Sequence, residues 1–375
     1  MKRRDFLGTV APGAVAAAAL TGCSGSNDAK TEGAPAVATK KRQFKMVTAW
    51  PKNFPGFGTS AERFAQRINT ATDGAITIKV FAAGELVGAF ESFDAVSLGN
   101  ADMYHAADYY FQGKHKALNF FTAVPFGFTA DEMASWIHYG GGQALWDEVS
   151  GKFNIKPMIV ANSGTQMAGW YKKEINSLED FKGLRIRWPG LGGEVIRRLG
   201  AAVNAMPGGD IFQALQSGAI DAAEWIGPWN DMAFGFYRIA PYYYYPGFHE
   251  PGSSITLGMN KDVWDSLTPQ QQEIFTAISE SEYNRSLAEY NMRNAEYLRI
   301  LEKDHNIKPR PLSNDILLEI GKVSNQVMKE IAAGDELSGR VYKSYMDFRK
   351  LSLEWRSVSE TAYLEARKLD FPYGT

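Results

Sequence analysis

The chain has 375 residues, a net charge of −2 at neutral pH and 45% hydrophobic residues, including 22 Phe, 17 Tyr and 9 Trp. That apolar, aromatic content excludes a disordered chain, and the length suffices for one or two full cores. Lys and Arg are scattered among acidic neighbours and form no basic domain, which excludes a nucleic-acid partner.

The N-terminus reads as an address. Lys2-Arg3-Arg4-Asp5-Phe6-Leu7 has the form of a twin-arginine export signal, followed by an Ala-rich apolar run. That run, Phe6 to Leu20, is shorter than the ~20 apolar residues a spanning helix needs. Leu20-Thr21-Gly22-Cys23 matches a lipobox, making residues 1–22 a lipoprotein signal peptide and Cys23 the lipidated first residue. An ordinary cleaved signal with an incidental Cys is the plainer alternative. Cys23 is the single cysteine, so no intrachain disulfide forms and the core must carry stability. Residues 23–43 are small, polar and aperiodic, as suits a flexible tether. The expected location is periplasmic, with a lipid anchor in the membrane.

The folded part is expected from about Phe44, whose strand runs to Trp50 and stops at Pro51. A helix follows, capped by Thr59 or Ser60, carrying Phe64 and Ile68 and closed by Asp73-Gly74. Ile76, Ile78 and Val80 alternate with Thr77 and Lys79 as a second strand. Phe93 to Leu98 is helical and leads to a strand near Met103, a βαβ rhythm with parallel pairing. Met158 to Val160 form another short strand.

A second α/β unit lies between Leu184 and Pro228. Leu184, Ile186 and Trp188 alternate with Arg185 and Arg187, and Pro189-Gly190 ends that strand. Val195, Ile196 and Leu199 stripe a short helix. Asp210 is the expected N-cap of the next, with Gly218 just past its end. The short strand after it ends at Glu224-Trp225. Tyr242 to Tyr245, between Pro241 and Pro246-Gly247, is expected to return the chain toward the first lobe, with plain core packing as the alternative. Ser253 to Met259 is a further strand.

From Thr268 the chain is mostly helical. Thr268-Pro269-Gln270-Gln271 supplies an N-cap, Pro at N1 and Gln at N3, and the helix runs to about Asp304. A second helix covers Asp315 to Ala333. The last begins near Asp335 and carries Leu337, Val341, Tyr345, Phe348, Leu351, Trp355, Val358 and Ala362 at helical spacing. Such a stripe covers either its own lobe or a second subunit.

Two α/β units in tandem predict a two-lobed α/β protein, with a ligand held between the lobes beyond the strand ends. No His-Glu-x-x-His, Gly-x-Ser-x-Gly, Walker loop or spaced-glycine fingerprint is present, and no two of the five histidines have metal-ligand spacing. The pattern favours a binding module. Arg187, at a strand end, has the planar fork that captures a carboxylate, unless it makes only a surface salt bridge. Glu224, ending a small apolar strand, is a carboxylate that must be paired or metal-bound. Gln166 and Glu250 follow the expected lobe crossings, and oxygen donors of this kind suit a hard cation. The rival reading is an exported lipoprotein enzyme using Glu224 and Glu250 as an acid/base pair. A sensor-type binding protein is a third.

The twin-arginine lipoprotein start, the Arg185-Ile186-Arg187-Trp188-Pro189-Gly190 turn and N-x-M-P-G-x-D-x-F-Q-A-L-Q-S-G-A-I-D-A-A-E-W resemble the solute-binding subunits of tripartite ATP-independent periplasmic (TRAP) transporters, the DctP-like family. The likeness spans nearly all of the mature chain and is most specific over Arg185–Pro246. Many members have Gly and Asn in the D-G-x-E-N motif where this chain has Ala222 and Trp225. That difference is similar to the branch holding 2-oxoacids or lactate beside a cation.

The resemblance implies a type II periplasmic-binding-protein-like fold with a long hinge-spanning helix and a helical C-terminal extension. Its lobes would be residues 44–161 with 251–295, and 162–250 with 296–333, leaving 334–375 as the extension. It implies no catalysis. Arg187 would clamp a small monocarboxylate such as pyruvate or a lactate-like 2-hydroxyacid. Gln166, Glu224, the Trp225 carbonyl and Glu250 would hold Na+ or Ca2+ against it, with Tyr109 and Tyr110 closing the pocket. The implied partners are the TRAP membrane permease subunits; a second copy of the chain is the partner expected from the apolar stripe of the last helix.

Overall fold

The computed structural model describes residues 41–372; the twin-arginine segment, Cys23 and most of the tether lie outside them. In chain order the first part comprises β1 (Arg42–Thr48), α1 (Phe57–Ala71), β2 (Ile76–Phe81), α2 (Ser92–Ser97), β3 (Met103–Ala106), α3 (Ala130–Tyr139), α4 (Gly142–Gly151) and β4 (Ile155–Asn162). Short 3-10 turns at Asp108–Phe111 and Lys116–Phe121 follow β3. The middle comprises β5 (Gly169–Tyr171), β6 (Arg185–Arg187), α5 (Gly190–Arg198), β7 (Ala202–Asn204), α6 (Gly208–Ser217), β8 (Ala222–Ala223), α7 (Pro228–Phe234) and β9 (Tyr242–Tyr245). Then come β10 (Ser254–Asn260), α8 (Lys261–Asp265), α9 (Pro269–Asp304), β11 (Arg310–Pro311), α10 (Asn314–Ala332), α11 (Glu336–Val358) and α12 (Glu360–Ala366).

The strands form two sheets. One has the order β2-β1-β3-β10-β4, with β1 parallel to β2 and β3, and β10 antiparallel to β3 and β4. The other has the order β11-β9-β5-β8-β6-β7. Each sheet therefore anchors one lobe of a two-lobed α/β fold, and β10 joins the first sheet only after the chain has built most of the second.

Two crossings between the sheets run side by side. The chain leaves β4 for β5 through residues 163–168 and returns from β9 to β10 through residues 246–253. Their backbones bond directly: Ser163 N to Ser253 O, Gln166 N to Glu250 O and Gly247 N to Gln166 O. A Cβ at Gly247 would overlap the Gln166 carbonyl, so the approach requires glycine there.

Helix α9 begins as its sequence dictates, with Thr268 capping Gln271, Gln271 reaching back to Thr268, and Pro269 at N1. At ~1.5 Å per residue it extends over ~54 Å. It packs on α1 and β4 of the first lobe and α7 of the second. Buried Glu282 on this helix accepts from Ser60 and pairs with Arg63 of α1.

Several local expectations shift. Gly56 caps α1, so Thr59 and Ser60 lie inside the helix, where Ser60 serves Glu282 instead. Pro207 caps α6, which places Asp210 in the first turn rather than at the cap. Gly218 ends that helix at φ 77°. Tyr242–Tyr245 do not carry the chain back to the first lobe: they are β9, paired with β5 and β11 inside the second sheet. The aromatic stripe of α11 divides. Leu337, Val341 and Tyr345 are buried against the first lobe, whereas Leu351, Trp355 and Val358 are 62%, 67% and 72% exposed.

Candidate functional site

Sheet register brings the two key charges together. Arg187 on β6 sits opposite Ala223 on β8, so Glu224 emerges at the same sheet end one residue later. Small residues at 222 and 223 fill the covered part of the strand, and Pro189 stops β6 just past Arg187. Glu224 N then donates to Arg187 O at 3.1 Å. The guanidinium answers: its Nη1 donates to Glu224 O at 2.8 Å and to Glu224 Oε2 at 2.9 Å, and its Nε to Met206 O at 3.2 Å. Both side chains are buried, at 1% and 0% exposure. Arg187 is therefore no surface salt bridge, and the partner Glu224 needed is Arg187 itself.

The two crossings deliver Gln166 and Glu250. Gln166 Nε2 donates to Glu250 Oε2 at 2.8 Å and to Ser163 Oγ at 3.1 Å. His249 enters with Glu250. Its Nε2 lies 3.1 Å from Glu224 Oε1, and ligand-competent atoms of Glu224, His249 and Glu250 fall within 4.8 Å of one another. Trp225 turns its ring beneath the Arg187 guanidinium, 4.8 Å from ring centre to Cζ. Gly208 makes room for that ring, since a Cβ there would overlap it. From the first lobe, Tyr109 is buried and Tyr110 half-buried, and both feel the charges of Arg187, Glu224 and Glu250.

The electrostatics are those of a dry site. Burial pushes the Glu224 carboxyl up to about 8, although the Arg187 guanidinium pulls the other way. Burial and then the nearby Glu224 charge push Glu250 up to about 7. Burial takes His249 down to about 4, leaving a neutral imidazole at pH 7. Two carboxyl groups and a neutral ring this close invite a cation, which would bind the carboxyls in their ionised form.

The polar atoms left over point the same way. Gln166 Oε1, Arg187 Nη2, Glu224 Oε1, both His249 ring nitrogens and the indole nitrogens of Trp188 and Trp225 are buried without a hydrogen-bond partner. Each such group costs about 1–3 kcal/mol, and their presence on Glu224 and His249, whose ligand-competent atoms lie within 4.8 Å of one another and of Glu250, marks a ligand position. Gln166 Oε1 and Glu224 Oε1 offer the hard oxygens a Na+ or Ca2+ ion takes, and Arg187 Nη2 offers a donor to an anion.

Every described residue expected at the site is therefore near it: Arg187, Gln166, Glu224, Trp225, Glu250, Tyr109 and Tyr110. Cys23 lies outside the described residues. His249 and Trp188 were not expected. Spacing rules look for paired ligands on one element, and His249 meets Glu224 from a different segment. Its position immediately before Glu250 was the available signal.

Residues 46–335 match the family model for bacterial extracellular solute-binding protein, family 7. The chain belongs to this family. It is 40% identical to a monocarboxylate 2-oxoacid-binding periplasmic protein of Nostoc sp., over 97% of this chain and 98% of that one. A TRAP transporter solute-binding protein from Bordetella bronchiseptica superposes with a TM-score of 0.85 at 37% identity, covering 87% of this chain and 97% of its own. That structure is a mixed-occupancy dimer with co-purified calcium and picolinate in one site. A TRAP periplasmic solute-binding protein from Pseudoalteromonas atlantica, with sodium and pyruvate bound, gives 0.84 at 35% identity, covering 87% and 99%. As a family 7 solute-binding protein the chain captures a solute and is not an enzyme, which removes the acid/base reading of Glu224 and Glu250.

Proposed function

We propose that this solute-binding protein captures a small 2-oxo or 2-hydroxy monocarboxylate, pyruvate being the simplest, together with a Na+ or Ca2+ ion, and delivers it to TRAP membrane permease subunits. The observation that carries this is the half-used pair. Arg187 spends one nitrogen on Glu224 and leaves Nη2 without a hydrogen bond, while Glu224 Oε1 and Gln166 Oε1 are also left without one. An anion fits the first opening and a cation the second. A 2-oxoacid bridges them, since its carboxylate and neighbouring oxygen together chelate a cation. Tyr109, Tyr110 and the Trp225 ring close around a ligand of that size, and the Trp225 carbonyl completes the cation set.

Residues 44–161 with 251–295 and residues 162–250 with 296–333 are the lobes that close on it, and 334–375 form the extension. Sheet membership and the paired crossings support that division. Export by the twin-arginine route and lipidation of Cys23 would hold the protein at the membrane, near its permease. The exposed Leu351, Trp355 and Val358 of α11 and Tyr363 of α12 support a homodimer through the extension.

Calorimetry tests the core of this reading. Pyruvate added to chelated, sodium-free protein is expected to bind weakly, with affinity restored by Ca2+ or Na+. Binding indifferent to both ions removes the cation, and mass spectrometry of co-purified small molecules then identifies the true ligand. For the dimer, light scattering of Trp355→Asp is expected to give a monomer where the natural chain gives twice the mass.

A further inference from the structure

We propose that His249 is itself a metal ligand, giving the site a mixed nitrogen and oxygen donor set that takes a transition-metal divalent ion, Zn2+ or Mn2+, in competition with Na+ and Ca2+. This rests on the cation reading above and extends it to which cations the pocket accepts.

The placement is specific. His249 is 2% exposed, and neither of its ring nitrogens has a hydrogen-bond partner. A buried imidazole kept for packing normally makes a well-aligned hydrogen bond, and this one makes none. Here Nε2 lies 3.1 Å from Glu224 Oε1, itself without a hydrogen bond, and Glu250 supplies the third donor within the same 4.8 Å cluster. The ring is held from the side: Trp188 meets it edge-on at 4.7 Å and Phe248 at 5.4 Å. Behind it, a Cβ at Gly192 would stand 2.7 Å from His249 Cβ, so the start of α5 fixes its backbone side. Two carboxylates and one imidazole converging on a point form a set that favours Mn2+ and Zn2+ over Ca2+, whose preferred donors are all oxygen.

The test uses the whole protein, stripped by chelation, with Mn2+ as the probe. Electron spin echo modulation of the bound Mn2+ is expected to show coupling to an imidazole nitrogen. His249→Phe keeps a ring against Trp188 and is expected to lose that coupling, with Mn2+ affinity falling about ten-fold or more while Ca2+ affinity changes less than about three-fold. Bound Mn2+ without nitrogen coupling overturns the proposal, as does coupling that persists in His249→Phe. Equal loss of Mn2+ and Ca2+ does so too, because it marks a merely structural role. Should His249→Phe fail to fold, the spectrum of the natural chain decides alone. Titration of the natural chain with Ca2+ and pyruvate reads the underlying cation site separately, so the two ideas fail by different results.

Discussion

Glu224 and Asp231 are both completely buried carboxylates in the second lobe, only a few residues apart, and they differ in what their oxygens touch. Asp231 is saturated. Oδ2 accepts from Trp170 Nε1 at 2.9 Å and Tyr243 OH at 2.8 Å, and Oδ1 from the backbone of Ile226 and Gly227, both at 3.1 Å. Glu224 has Arg187 on one oxygen and no hydrogen bond on the other. Asp231 thus holds β5, β9 and the start of α7 together, and Glu224 waits for something else. Burial marks both residues; only the unfilled valence marks a site.

Substitutions should separate the two roles. The largest effect is expected from Arg187→Ala, which removes the anion donor and strands Glu224 in the interior. Calorimetry should show pyruvate binding weakened at least about a hundred-fold, and denaturant melts a stability loss of about 3–5 kcal/mol. Next, Glu224→Gln should weaken cation binding at least about ten-fold, whereas Asp231→Asn should leave it nearly unchanged and instead cost about 2 kcal/mol of stability by setting an amide against four donors. If Asp231→Asn weakens the cation as much as Glu224→Gln does, the distinction between the carboxylates collapses.

The smallest effect is a slope. Burial raises Glu224, Glu250 and Asp231 above their ordinary values, so the folded chain keeps protons that the unfolded chain has lost. Their contribution to stability without a cation is therefore greatest at low pH and falls as pH rises from about 5 to about 8, while the buried neutral His105 and His249 oppose it below about pH 6.5. Saturating Ca2+ should flatten the part due to Glu224 and Glu250, because it binds their ionised forms, and leave the part due to Asp231. Urea melts across that range, with and without Ca2+, measure the difference.

Much of this was legible in the chain itself. Alternation through Ile186 and the stop at Pro189 put Arg187 at a strand end, and Thr268-Pro269 announced the start of α9 to the residue. Gln166 and Glu250 were offered by their places after the lobe crossings, and the resemblance to TRAP subunits added Tyr109 and Tyr110. Other features were hidden for physical reasons. Tyr243 and Tyr244 are both buried because β9 is covered on both faces, so the strand shows no alternation to read. Pro207 rather than Asp210 caps α6 because the helix must start where Gly208 can admit the Trp225 ring, a constraint set by tertiary packing. The stripe on α11 continues past Tyr345 while its cover does not, and periodicity cannot tell which neighbours are present.

The paired crossings carry a mechanical implication. Gln166 and Glu250 belong to the two ropes that tie the lobes, and those ropes are already knotted to each other through Gln166 N and Glu250 O. A ligand held by these two side chains, as proposed, would tighten the knot and stiffen the joint from within as well as bridging the lobes it separates.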